Sequence, residues 1–241
     1  MNYIEFELYP PKIVVISRHC NYSSVSANKP RPDWFSRENC YSQLIKTKPN
    51  DCEVIILFDG EIPPDHFLNK IGGYDSIVEE RLGSEANSFL RSLEIAISLK
   101  EDENTIVYFV EDDYWHLQNW GSAIREGFCL NTDYLTLYDH PDSYMRNENT
   151  QIQVSPNYLW KFALSTTNTY AVKLKTLRED IDIHVKYSSD LAVNYLTNDY
   201  QKFLELNSNS RKLINPIPAI STHCESYFLS PTVKWEEKAN V

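Results

Sequence analysis

The sequence predicts an α/β fold, an open and mostly parallel sheet flanked by helices, and three observations predict it. Strand-length apolar runs alternate with helical patterns through the first 140 residues, an order that places helices on the faces of a parallel sheet. The runs are rich in β-branched and aromatic residues with little polar alternation, as in strands buried on both faces. The longest, such as IVVIS and VIILF, are strand-length and far short of a membrane span.

In order, KIVVIS (12–17) is the first strand. SRENCYSQLIKT (36–47) is a helix with Ser36 as N-cap, followed by the strand EVIILF (53–58). SEANSFLRSLEIAISL (84–99) is the clearest helix. Ser84 is its cap, and Ala86, Phe89, Leu90, Leu93 and Ile97 form one apolar stripe. TIVYFV (105–110) and DYLTLY (133–138) are the next strands. The second half changes character. LWKFALSTTNTYAVKL (159–174) reads as two antiparallel strands joined around residues 165–168, and SSDLAVNYLTNDYQKFL (188–204) as a helix starting near Ser188. A turn-rich, proline-broken tail follows.

With 241 residues, 42% of them hydrophobic, the chain can bury one sizeable core. A net charge of −11 argues against nucleic acid as a partner, because that needs a clustered basic surface. The N-terminus lacks a basic stretch followed by an apolar block, and the five cysteines form no CxxC pair. A reduced, cytoplasmic protein is expected. Only six glycines occur, and neither GxGxxG nor GxxxxGK is present. An acidic chain without a glycine-lined phosphate cradle needs a metal ion to bridge it to any phosphate compound.

Glu111, Asp112 and Asp113 stand side by side at the end of the strand 105–110, where open α/β sheets bind ligands. Like charges held about 4 Å apart in a partly shielded site repel by roughly 4 kcal/mol per pair. The cluster is therefore either well solvated or met by something positive. In an extended strand Glu111 and Asp113 point one way and Asp112 the other. Such hard oxygen donors suit Mg²⁺ or Mn²⁺.

The strand ending in EDD resembles the DxD motif of glycosyltransferases with the GT-A fold. The preceding pieces match in order: VVISR, then EVIILFDGE ending its strand at Asp59, then GSEANSFLRSLEIA before the DxD strand. PAISTHCESYFLSP is similar to the late segment that supplies a metal-binding His in many of these enzymes. The resemblance implies one GT-A-like domain over residues 1–241, with a nucleotide-sugar-binding half over 12–139 and an acceptor-side half over 150–241. It also implies a Mn²⁺ (or Mg²⁺) ion on Asp113 and His223, with Glu111 reaching the metal through water or holding the ribose and Asp112 beside them. Asp59 would meet the base, although an Asp before Gly60 equally forms a turn. Arg18 and Arg91 are the basic residues placed by motif order to meet a pyrophosphate.

Asp190, at a helix start in the second half, is the candidate general base; Ser189 and Asp190 there equally serve as cap and dipole partners. Trp160, Phe162, Tyr170 and Trp115 form either a sugar-stacking platform or core. The expected activity is metal-dependent transfer from a nucleotide-diphosphate sugar, UDP before GDP, to an acceptor hydroxyl on a carbohydrate or other acceptor, with inversion favoured. Rival readings are a non-catalytic nucleotide- or carbohydrate-binding module and a sugar nucleotidyltransferase. The last normally opens with a glycine-rich loop, whereas SRHCNYSSVSANKPRPDW (17–34) has no glycine.

Overall fold

The computed structural model describes residues 10–146, 150–188 and 198–239. Strands β1 (Ile13–Cys20), β2 (Glu53–Asp59), β3 (Ser76–Glu80) and β4 (Ile106–Glu111) form one side of a nine-stranded sheet. Strands β6 (Tyr134–Leu135), β7 (Ile152–Val154), β8 (Leu159–Ala163), β9 (Tyr170–Lys173) and β10 (Leu213–Ile217) complete it in the order β3-β2-β1-β4-β9-β6-β10-β8-β7. The β3-β2-β1-β4 block is parallel, and β9 and β8 are inserted antiparallel to their neighbours. A separate ribbon pairs β5 (Tyr114–His116) with β11 (Ser221–His223).

The central strands have cores on both faces, which is why their sequences lack polar alternation. Ile13 and Val15 of β1 pack with Tyr41, Leu44, Tyr108 and Trp120. Val14 and Ile16 face the opposite cluster of Phe89, Leu93, Phe109 and Tyr170. The predicted helices lie where expected. Helix α1 (Arg37–Lys46) is capped by Ser36 Oγ, which accepts from Asn39 N–H. Helix α2 (Glu85–Ser98) is capped by Ser84 Oγ, which accepts from Asn87 N–H, and it buries Ala86, Phe89 and Leu93. Helix α3 (Trp120–Gly127) covers the first face.

Two expectations are corrected and one alternative is decided. Residues 159–174 are not a hairpin: β8 and β9 are separated by β10 and β6. The turn-like residues between them cross towards the ligand-facing edge instead, where Asn168 donates to Glu85 Oε1. The strand expected over 133–138 shrinks to Tyr134–Leu135, with Tyr138 making a lone bridge to Ser221. The aromatic platform is core: Trp160 and Tyr170 are fully buried, and Trp115 packs against Trp34, Ala219 and Cys224.

Gly127 ends α3 where a Cβ would lie 2.1 Å from Leu135 Cδ1 and 2.9 Å from Trp160 Cη2. Both neighbours are fully buried and cannot yield into solvent. Gly127→Ala should therefore lower stability by about 1–3 kcal/mol, read as a lower urea midpoint at unchanged slope. An unchanged midpoint would contradict the packing described.

Candidate functional site

The carboxyl ends of β1, β2 and β4 open into a cavity of about 740 Å³. Ladder register sets its floor: Arg18 of β1 stands opposite Glu111 of β4, and Cys20 opposite Asp59 of β2. The segment after β1 forms one wall with Tyr22, Ser23, Ser24, Ser26 and Lys29, and Thr167 and Asn168 reach in from the crossing before β9. The β5–β11 ribbon sets His223 against Tyr114, so the late histidine arrives beside Asp113. The His223 and Tyr114 rings stack at 5.2 Å.

Each carboxylate of the EDD cluster has an arginine. Arg18 Nη2 lies 3.1 Å from Glu111 Oε1, Arg37 Nε 3.2 Å from Asp112 Oδ2, and Arg31 Nη2 2.9 Å from Asp113 Oδ2. His223 Nε2 lies 3.1 Å from the same Asp113 oxygen. β4 ends at Glu111, so Asp112 and Asp113 sit in the turn to β5 and strand alternation does not govern them. All three line the cavity. Glu111 is held further by Thr169, whose Oγ1 donates to Oε2 at 3.2 Å.

The pairing splits their titration. Burial pushes Asp112 up to about 7, with Asp113 and Glu111 adding to the rise and Arg37 opposing it. Burial likewise raises Glu111 against the pull of Arg18. Asp113 also carries a burial penalty, but the charge and hydrogen bond of His223 and the charge of Arg31 hold it well below the usual carboxylate range. His19, buried on β1 and bonded to Ser17 Oγ, is pushed down to about 3 by burial and stays neutral.

The other expected site residues fare differently. Arg18 is 6% exposed and lines the cavity, with Nη1 3.3 Å from Glu85 Oε1. Among the described residues its Nε and Nη2 have no hydrogen-bond partner; Glu111 is close in charge but badly aligned. Asp59 borders the cavity, yet its carboxylate accepts from the backbone N–H groups of Leu82 and Gly83, the turn-forming role. Arg91 is not brought to the cavity: its guanidinium grips Glu80 and reaches Glu94. Asp190 lies outside the described residues. Sequence reasoning missed Lys29, Arg31, Arg37 and Glu85. Only the proximity of Arg31 and Arg37 to the first strand hinted at them, and no spacing rule singles them out.

Among the described residues, no three His, Cys, Asp or Glu side chains gather in a metal-holding group. Asp113 and His223 do converge, and Arg31 already stands there as a positive charge; Glu111 belongs to Arg18 instead. One carboxylate and one imidazole fit an ion that completes its shell with phosphate and water, not one caged by protein. The cavity is lined by Asp59, Glu85, Glu111, Asp112, Asp113 and Asp199 against Arg18, Lys29 and Arg37, with Arg31 and Lys202 pairing Asp113 and Asp199 from behind and burial raising Glu111 and Asp112.

No protein-family model matches the chain, and no curated protein sequence is similar to it. Solved structures with a similar fold include CMP:2-keto-3-deoxy-manno-octonic acid synthetase complexed with CTP, at 13% identity and a TM-score of 0.49, covering 85% of this chain and 88% of that one. A cytidylyltransferase from Leptospira borgpetersenii shares 14% identity at a TM-score of 0.47, over 84% of this chain and 74% of that one. A 4-diphosphocytidyl-2C-methyl-D-erythritol synthase from Anaerococcus prevotii shares 12% at a TM-score of 0.48, over 95% of both. Likenesses this weak add nothing to the α/β fold already seen in the topology. These neighbours carry the names of cytidine-nucleotide enzymes, not of sugar-transferring ones. With Glu111 and Asp112 held by Arg18 and Arg37, the strand end offers no open DxD pair, and the expectation of a DxD glycosyltransferase using a UDP- or GDP-sugar is corrected. Among the described residues no helix is long and apolar enough to cross a membrane.

The raised Asp112 gives a sign that can be checked. Its native pKa lies above the unfolded value of about 3.9, so ionising it costs stability as pH climbs from there through about 7. Asp112→Asn removes that cost, and its urea midpoint relative to wild type should rise between pH 5 and pH 8, by about 1–3 kcal/mol in stability. A difference independent of pH would contradict the buried carboxylate. Asp113 works in the opposite sense: its stabilisation is present at neutral pH and is lost as pH falls through and below the carboxylate range.

Proposed function

We propose that the cavity binds a nucleoside triphosphate and that the chain is a nucleotidyltransferase, passing the nucleotidyl group to a small nucleophilic substrate and releasing pyrophosphate. The observation that carries this reading is the gathering of Arg18, Arg37 and Lys29 at the carboxyl ends of β1, β2 and β4 in a cavity of nucleotide size. Guanidinium forks match phosphate oxygens. The segment after β1 supports the same reading although it has no glycine. Ser23, Ser24, Ser26 and Lys29 line the cavity where a phosphate-binding loop belongs, offering hydroxyls and an ammonium instead of closely approaching backbone.

A divalent ion on Asp113 and His223 would neutralise charge on the phosphates when bound. The chain's own residues do the rest. Arg18 and Arg37 orient phosphate oxygens, while Asn168 and Thr167 close the opposite wall. Tyr114, whose hydroxyl bonds Thr167 Oγ1 at 2.7 Å, fixes that wall relative to the His223 ring.

The test is a thermal-shift panel of nucleoside mono-, di- and triphosphates and nucleotide sugars with Mn²⁺, including CTP, followed by assay of pyrophosphate release. A triphosphate at a hundred times its Kd should stabilise by about 2.7 kcal/mol, a rise of about 5–10 °C for a chain of this size. Arg37→Ala should remove most of that rise. No shift with any nucleotide would refute the reading. Binding without pyrophosphate release in the presence of candidate acceptors would reduce the protein to a binding module.

A further inference from the structure

Arg31 is not among the residues lining the main cavity, yet it stands where Asp113 and His223 meet. Its Nη2 donates to Asp113 Oδ2 at 2.9 Å and to Ser26 Oγ at 2.8 Å, and its Nη1 donates to the Cys224 carbonyl at 2.7 Å. The guanidinium lies over the Phe35 ring at 4.6 Å. His223 Nε2 shares the same carboxylate oxygen from the other side at 3.1 Å. Asp113 is 7% exposed, so its charge has little water to rely on and needs a partner whenever the cavity holds no ligand.

Two further features define the surroundings of the Arg31 side chain. Pro30 and Pro32 flank it, and prolines on both sides restrict its backbone. A second, open cleft of about 700 Å³ lies beyond it, lined by Arg31, Trp34, Trp235, Glu236 and Glu237 among others. Arg31 thus borders the second cleft, where Glu237 is paired with Lys234, while its guanidinium bonds Asp113 and Ser26, which line the first cavity.

We propose that Arg31 is a resident placeholder cation, holding Asp113 and His223 in position until a divalent ion displaces it towards the second cleft. The inference rests on the reading that this pair receives an ion shared with phosphate, and it makes Arg31 a positioning residue rather than a catalytic one. The exchange forms and breaks no covalent bond; it replaces one positive charge with two, and the phosphate oxygens arriving with the ion offset the added charge. Arg31 then sets a threshold. A bare ion must compete with a positive charge already in place, whereas an ion arriving with phosphate brings extra ligands and prevails.

The probe is Mn²⁺ alone, titrated into the full chain and followed by electron paramagnetic resonance of the free ion, so the result does not depend on which nucleotide binds. Arg31→Gln should bind Mn²⁺ about tenfold or more tightly than wild type, since removing one adjacent positive charge is worth at least that much in a shielded site. Arg31→Lys, which keeps the charge, should stay near wild type, and Asp113→Asn combined with R31Q should abolish the gain. The Lys variant separates charge competition from a general loosening of the loop, which would move both Arg31 variants together. Equal or weaker Mn²⁺ binding by R31Q would overturn the proposal, as would Mn²⁺ binding by none of the proteins. A nucleotide panel without shifts would refute the proposed function while leaving this titration interpretable.

Discussion

Three carboxylates crowded at the end of one buried strand repel each other, and most of the ligand-facing edge of this protein is arranged to answer that repulsion. Glu111, Asp112 and Asp113 recruit Arg18 from β1, Arg37 from the first turn of α1 and Arg31 from the segment between them, and Asp113 also draws in His223 from the far end of the chain. Removing any arginine would leave a poorly hydrated anion uncompensated, the expensive half of a buried pair. The interaction therefore fixes more than local charge. It ties the loop after β1 and the late β11 segment to the end of β4, which gives the cavity its walls.

A second layer steadies the first. Lys202 is 1% exposed, over the rings of Phe89, Tyr170 and Phe203, and donates to Asn168 and Asp199. Asn168 in turn donates to Glu85, which pairs with Arg18. The crossing before β9 is thus fastened to the cavity through a chain of polar contacts that starts in the core. Charge is nearly matched along it, with Lys202 answering Asp199 and Arg18 answering Glu85. Under the proposed function, phosphate would meet arginine forks and serine hydroxyls where other folds offer bare backbone.

The parts of this architecture written in local periodicity were legible in the sequence. Strands β1, β2 and β4 and helices α1 and α2 follow from apolar runs, stripes and the caps Ser36 and Ser84, because burial on a given face dictates residue type at each position. The position of the EDD cluster at a strand end was legible as well, whereas the meeting of Asp113 with His223 came only from a family resemblance. What could not be read was adjacency. Nothing in residues 159–174 says that β10 and β6 will enter between β8 and β9, since pairing partners are set by the whole sheet. Nor does a sequence reveal which cation will answer which anion. Motif order points to Arg91 and is silent on Arg31, but helix geometry gives Arg91 to Glu80, while the proline-flanked Arg31 reaches Asp113.

The most direct test is crystallographic: soak crystals with Mn²⁺ and the nucleoside triphosphate that stabilises the protein most, and collect anomalous data. The account predicts a manganese peak bounded by Asp113 and His223, phosphate oxygens completing its shell, and the Arg31 guanidinium withdrawn from the carboxylate. A bound nucleotide with Arg31 still on Asp113 and no manganese beside it would contradict the account.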